Sequence, residues 1–289
     1  MKRINKLSLG TAQFGMKYGI ANKLGQISFA EAKKIFLKIK SEGIYSIDTA
    51  SSYEKSEEIL GKIDLSGLEI TSKIYLPPEK LLDVNDFINN KINFSLNLLG
   101  QKKIYGLLIH NPDVLLGKSG NEIYDQLMIL KKQGKISKIG ISIYSPNILE
   151  ELLNKFNLDI VQSPLNIFDQ RLITSGWTKI LSQMKIEIQV RSIFLQGLLL
   201  NQDDVLINKF KEFKSNFDQI KNFVNNKNIS VMELCLSYIF MHKEIDKVIV
   251  GIDSLLQLNQ ILNSLSANLD DEINFLSSND ENLIDPRNW

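Results

Sequence analysis

The sequence predicts a (β/α)8 barrel, and three observations carry that prediction. Eight short, β-rich apolar runs alternate with longer amphipathic segments along 289 residues. Several of these runs are apolar throughout, which suits parallel strands covered by helices better than a sheet with one wet face. No linker, low-complexity tract or repeat interrupts the pattern. Residues 1–289 are therefore expected to form one domain, a length at which α/β barrels commonly stand as single units.

The strand candidates, in order, are Leu7–Thr11, Ile44–Asp48, Leu68–Lys73, Ile104–His110, Ile136–Ile141, Asp159–Gln162, Ile186–Arg191 and Lys247–Val250. The helices between them carry their own punctuation. Ser28 and Glu31 form a capping-box pattern, Ala32, Ile35, Phe36 and Ile39 make one apolar stripe, and Gly43 follows as a stop. Ser145-Pro146 reads as an N-cap with proline at the first helical position. Ser230 and Glu233 repeat the capping box, and His242 follows near that helix's end as a C-terminal dipole partner. The stretch Val205–Asn225 reads as a broken helix. An open doubly wound sheet is the competing fold; the lack of a G-x-G-x-x-G after the first strand weighs against it.

Composition narrows the function classes. Lys and Arg total 34 against 33 Asp and Glu, interleaved along the chain, so a polyanion-binding surface and a nucleic-acid partner are not expected. The single cysteine, Cys235, excludes an intramolecular disulfide and a cysteine-rich metal site, and its apolar neighbours Leu234 and Leu236 suggest packing. The basic N-terminus lacks the apolar stretch of a signal peptide, and no run reaches the length of a membrane span. A cytoplasmic protein with no membrane partner and no metal is the expectation.

Working residues of such a barrel project from the C-terminal ends of its strands. Reading those ends gives Asp48, Lys73 and His110 on three consecutive strands, with Tyr53 in the loop just beyond Asp48. Singly, each has an ordinary explanation: a helix cap, a solvated charge, a satisfied histidine, a rim aromatic. Together they make a proton-transfer set. A free phenol titrates near ~10 and is a poor proton donor or acceptor at neutral pH. A lysine ammonium beside it is expected to lower that value, and an aspartate paired with the lysine would hold the ammonium in place. His110 would share with Tyr53 the polarisation of a substrate oxygen while hydride reaches the carbon. Glu57 is expected to support its helix start or the lysine pair.

The motifs DTASSY and SEEILG, the Lys of EITSK and the His of LLIHNP resemble the aldo-keto reductase signature. GKISKIGIS, DIVQSPLN and VRSIFLQG extend the resemblance collinearly over nearly the whole chain. It implies a (β/α)8 barrel, a nicotinamide dinucleotide lying across the rim, and Asp48, Tyr53, Lys73 and His110 as the catalytic tetrad. Ser142 and Gln162 would bind the nicotinamide carboxamide, although Ile143 stands where the family often has Asn after that serine. Phosphates would lie against the loop after strand seven (Ser192, Phe194, Gln196, Gly197) and the turn after strand eight (Gly251, Asp253, Ser254), where a helix N-terminus suits a pyrophosphate.

Two departures matter. Members that prefer the 2′-phosphorylated cofactor commonly place Lys or Arg after strand eight, yet none occurs here between Val248 and Pro286, and Gln257 stands where an Arg often would. Family habit gives NADP(H), with NAD(H) the alternative that the local charges favour. Arg191 stands where the family often stacks an aromatic on the nicotinamide. It either pairs with a nearby carboxylate or disfavours the cationic, oxidised ring.

The expected function is NAD(P)H-dependent reduction of an aldehyde or ketone, a sugar-derived one included, by Tyr53 as general acid. The alternatives are a cofactor-binding regulatory subunit on the same fold and a sugar-alcohol or hemiacetal dehydrogenase working in reverse. The loops Gln13–Gln26, Pro112–Asn121 and Leu198–Asp204, with Gln13, Asn111 and Asn166, would set the small-molecule substrate. Oligomeric state is not legible.

Overall fold

The computed structural model describes residues 2–77, 83–201, 203–268 and 273–289, and in it the eight apolar runs all become strands. They are β1 Leu7–Gly10, β2 Ser46–Asp48, β3 Glu69–Ile74, β4 Ile104–Ile109, β5 Ile136–Ser142, β6 Ile160–Pro164, β7 Glu187–Arg191 and β8 Lys247–Gly251. Each pairs in parallel with its neighbours in chain order, and β8 returns to β1 through Leu7↔Val248 and Gly10↔Gly251, so the sheet closes on itself. The (β/α)8 barrel is therefore the fold, and closure removes the edges an open doubly wound sheet would expose.

Why these residues close is readable in the packing. Gly140 on β5 faces β6 so closely that an added Cβ would lie 2.4 Å from the Ile160 carbonyl oxygen. At the N-terminal end of the barrel, Lys138 Nζ reaches Glu187 Oε2 at 2.6 Å, Tyr105 Oη donates to the same oxygen, and Lys247 lies 4.0 Å from the Tyr105 ring centroid. This charged plug closes the end that stabilises such barrels, and leaves the other end for chemistry.

The helical punctuation works with two adjustments. In helix Phe29–Glu42 the stripe Ala32, Ile35, Phe36 and Ile39 is buried, and Gly43 ends the helix at φ 78°. Burying each of the larger three contributes on the order of 1.5–3 kcal/mol. Ser28 caps that helix by accepting from Glu31 N, but the Glu31 carboxylate turns away and accepts from Leu255 N at 2.9 Å. Ser145 and Pro146 open a 3-10 turn, Pro146–Ile148, before helix Leu149–Lys155 begins. The Ser230–Glu233 capping box is complete. The broken stretch resolves into helix Asp204–Lys209, a 3-10 turn Lys211–Phe213 and helix Lys214–Lys227. His242 corrects its expected role: burial depresses its pKa, so it stands neutral at the helix end and offers no cation to the dipole. Cys235 is buried. No helix among the described residues is long and apolar enough to cross a membrane.

Candidate active site

Strand register brings the four ionisable side chains to one rim. Asp48 ends β2, Lys73 lies one residue before the end of β3, and His110 follows β4, held by its backbone N–H on the Ile74 carbonyl at 2.8 Å. Lys73 and Asp48 are 1% and 3% exposed, and Lys73 Nζ donates to Asp48 Oδ1 at 2.5 Å and to the Thr49 carbonyl at 2.9 Å. Tyr53 lies over this pair, its ring centroid 5.1 Å from Lys73 Nζ and 6.3 Å from the His110 ring in an edge-on arrangement. Its loop is set by a close approach. A Cβ on Gly15 would fall 1.9 Å from the Tyr53 carbonyl oxygen, so only glycine lets the segment Ala12–Gly15 pack beneath it.

The electrostatics depart from expectation at the phenol. Burial, and then the Asp48 carboxylate, push the Tyr53 hydroxyl well above an ordinary tyrosine, with Arg191 pulling weakly the other way. Lys73 does not supply the acidifying contact, because its bonds go to Asp48 and Thr49 and none among the described residues reaches the phenol oxygen. Tyr53 therefore holds its proton at neutral pH. Burial also depresses the Lys73 ammonium below an ordinary lysine, against the pull of Asp48. His110 is lowered to about 3 by burial, then by Lys73 and Arg191, so its ring is neutral; its Nδ1 lies 3.4 Å from Ser52 Oγ. Glu57 stands in the first turn of helix Ser56–Leu60 and makes no bond to Lys73; it is buried and accepts from the hydroxyls of Ser72 at 2.6 Å and Ser95.

A cavity of about 860 Å³ opens over this set and runs outward between the loops after β1, β7 and β8. Asp48, Tyr53 and His110 line its inner end, with Lys73 behind them. Arg191, Ser192, Phe194, Gln196 and Gly197 form one wall. That wall is conformationally unusual, since Ser192, Leu195 and Gln196 all hold positive φ (60°, 48° and 55°) before Gly197 at 86°. Such a run costs free energy and persists where a backbone shape is needed for a ligand. The β1 loop lies against this wall: Ala21 N–H donates to the Gln196 carbonyl at 3.4 Å, and a Cβ on Gly197 would meet Ala21 Cβ at 2.7 Å. Gly251, Asp253 and Gln257 line the outer end, and Gly251 sits under Gln13, whose Nε2 would lie 2.9 Å from an added Cβ.

Three residues expected to contact the cofactor are not in the cavity lining. Ser142 and Gln162 are fully buried: the Ser142 hydroxyl donates to Gln162 Oε1 at 3.1 Å, and Gln162 Nε2 donates to Asp48 Oδ2 at 2.8 Å. Both brace the tetrad from the barrel interior and do not line the cavity. Ser254 also stays off the lining and caps helix Leu255–Ser264 by accepting from Gln257 N at 3.3 Å. Arg191 pairs with no carboxylate among the described residues. Its guanidinium donates to the Ile143 carbonyl at 3.0 Å and to Ser192 Oγ at 3.2 Å, and lies 4.6 Å from the Tyr144 ring centroid. Ile143, where a carboxamide contact is often made, thus offers its carbonyl to Arg191.

Other contacts had no local signal. Arg287 covers the Tyr144 ring at 3.8 Å, anchored by the carboxylate of Asp285. Tyr18 lies 6.4 Å from the Tyr53 ring, and burial pushes its hydroxyl up to about 12. Asn111 and Asn166 are structural: Asn111 bonds both backbone groups of Leu76, and Asn166 bonds Phe168 N, Asp169 N and the Ser192 carbonyl. Gln13 alone of the three loop amides faces the cavity. Gln202 in the loop after β7 lies outside the described residues. No group of metal-binding side chains occurs among the described residues.

Comparison with known proteins places this geometry in context. Residues 6–274 match the model of the Aldo/keto reductase family. The uncharacterized oxidoreductase YqkF of Bacillus subtilis is 24% identical over 288 residues, 88% of this chain and 90% of its own. The aldo-keto reductase AKR11C1 of Bacillus halodurans in its holo form aligns with a TM-score of 0.74 at 20% identity, over 94% of this chain and 90% of its own. Its apo form aligns at 0.70 and 19% identity, over 94% and 89%. At such identities the two structures bear on the fold alone.

Proposed function

The chain belongs to the aldo/keto reductase family, and from that premise we propose that it reduces a small aldehyde or ketone, with Tyr53 as proton donor and a nicotinamide dinucleotide in the 860 Å³ cavity. The residues present fit such a group. The wall Ser192–Gly197 is shaped by positive φ, and Gly251 presents backbone without a side chain to the cavity. When bound, the cofactor supplies hydride. Arg191, Ser192, Phe194, Gln196 and Gly197 would hold it along one wall, with Gly251, Asp253 and Gln257 at the outer end.

The observation that carries the reading is the buried Lys73–Asp48 pair beneath a protonated Tyr53, beside a neutral His110. A carbonyl oxygen between the phenol and the imidazole is a hydrogen-bond acceptor meeting two donors. As negative charge grows on that oxygen, Tyr53 Oη gives up its proton and the new O–H completes the alcohol. The ammonium of Lys73 and the guanidinium of Arg191 then lie near the nascent phenolate, and stabilise it more than they stabilise the neutral phenol. Asp48, held by Gln162, keeps Lys73 oriented throughout.

The test compares wild type with Tyr53→Phe for oxidation of reduced cofactor against a panel of aldehydes and ketones, sugar-derived ones included. Loss of the phenolic proton is expected to slow turnover by roughly 10²–10⁴-fold while cofactor binding persists. Equal rates in the two proteins would remove Tyr53 from the chemistry. Cofactor binding with no turnover of any carbonyl would favour a regulatory subunit.

A further inference from the structure

Building on the cofactor reading above, we propose that Asp253 selects the cofactor: its carboxylate accepts from the adenosine ribose hydroxyls of NAD(H) and repels the 2′-phosphate of NADP(H). With the reactive ring at Tyr53, a dinucleotide has one direction in which to extend, outward along the cavity to the end lined by Asp253, Gln257, Gln260 and Asn263. Those four offer one carboxylate and three amides.

The Asp253 carboxylate is half-buried and fixed from two sides. Asn22 Nδ2 donates to Oδ1 at 3.1 Å, and Gln257 Nε2 lies 3.4 Å from Oδ2. No cation pairs with it among the described residues, and burial raises its pKa, as expected for a charge lacking a counter-ion. An acidic side chain of this kind recognises a ribose diol by accepting its hydroxyl protons, and meets a phosphate dianion with like-charge repulsion.

The helix behind it already spends two of its leading N–H groups within the chain. The N-terminus of Leu255–Ser264 would be the natural seat for a phosphate. Here the chain's own acceptors take part of it: Glu31 Oε1 takes Leu255 N and Ser254 Oγ takes Gln257 N, while just before the helix Gln257 Oε1 takes Asp253 N at 2.7 Å. Glu31 adds a second carboxylate, whose other oxygen lies 3.5 Å from the mostly exposed Lys34. Among the described residues, the one cation lining the cavity is Arg191, which is bonded to Ile143 and Ser192 at the catalytic end. A 2′-phosphate would therefore meet the Asp253 carboxylate and neutral amides with no cation to pair with, in a site that suits a diol.

The experiment measures dissociation constants of NADH and NADPH by fluorescence titration of the purified protein without substrate, at low and high salt. NADH is expected to bind at least tenfold tighter, with the gap narrowing at high salt as the repulsion is screened. Asp253→Asn keeps the shape and removes the charge, and should shrink the ratio at least tenfold by tightening NADPH. Gln257→Arg, in an otherwise unaltered chain, should tighten NADPH as well, and keeps the proposal testable should the first variant not fold. Equal or tighter NADPH binding to wild type overturns the proposal, as does a ratio that neither variant moves. Failure of both dinucleotides to bind overturns the cofactor reading itself, a result distinct from binding with the opposite preference.

Discussion

Replacing Lys73 with Met removes an ammonium while keeping most of the buried volume, and the structure sets the size of the loss. Two bonds disappear, to Asp48 Oδ1 and to the Thr49 carbonyl. Asp48 is left as a buried anion with Gln162 Nε2 at 2.8 Å as its remaining side-chain donor. Removing one partner of a buried ion pair costs about 3–5 kcal/mol, and an unsatisfied buried carbonyl adds about 1–3 kcal/mol. Lys73→Met should therefore lose at least about 4 kcal/mol, a large part of the ~5–15 kcal/mol available to a folded domain. The double variant Asp48→Asn, Lys73→Met removes both charges and should recover most of that loss, because exchanging a whole buried pair is often neutral. Neither variant should reduce carbonyls at the wild-type rate. Urea unfolding followed by circular dichroism, with reductase rates on the same preparations, separates the two effects. A single variant within about 1 kcal/mol of wild type, or a double variant no more stable than the single, would refute the reasoning.

Two further outcomes follow from the charges around the phenol. His110 titrates at 6.5 when unfolded and is lowered to about 3 in the barrel. The unfolded chain therefore binds a proton that the native state refuses, and unfolding free energy should fall as pH drops below 6.5 toward 3. His110→Gln should flatten that fall in acid-unfolding curves, and an unchanged slope would contradict the assignment; kcat/KM should likewise show no His110 limb near neutrality. Arg191→Ala should tighten the oxidised cofactor relative to the reduced one by roughly tenfold, or ~1.4 kcal/mol, as measured by paired titrations. An unchanged ratio would show that the guanidinium does not act on the ring.

The strands were legible because parallel strands buried on both faces read as continuous apolar runs, and register then delivers Asp48, Lys73 and His110 to one rim. What sequence could not supply was the partner of each polar group across the barrel. Ser142 and Gln162 have suitable chemistry for a carboxamide, yet Asp48, 114 residues from Gln162, claims that amide through the interior. Glu31 looks like half of a capping box, because Ser28 is three residues away; its acceptor capacity goes to Leu255, 224 residues on. The contacts of Arg191 and Arg287 with the Tyr144 ring join three distant segments with no periodic signal. The Tyr53 shift departs from expectation for a related reason. Residue types suggest an ammonium beside a phenol, but burial decides the sign, and burial belongs to the assembled rim.

On the proposed mechanism, the protonated state of Tyr53 bears on direction. In reduction, the group needed at the start is a protonated phenol, which burial and Asp48 favour. In oxidation, the group needed is a phenolate, and the same two influences oppose its formation. Lys73 and Arg191 together outweigh Asp48 in formal charge at the cavity's inner end, so they favour any step that places negative charge on the substrate oxygen or on Tyr53. A resting phenol that rarely ionises, beside cations that reward ionisation once a carbonyl accepts hydride, stabilises the transition state more than the ground state. The reverse reaction would have to remove the phenol's proton before any substrate charge exists to assist, so rising pH should assist oxidation and oppose reduction, which consumes a proton.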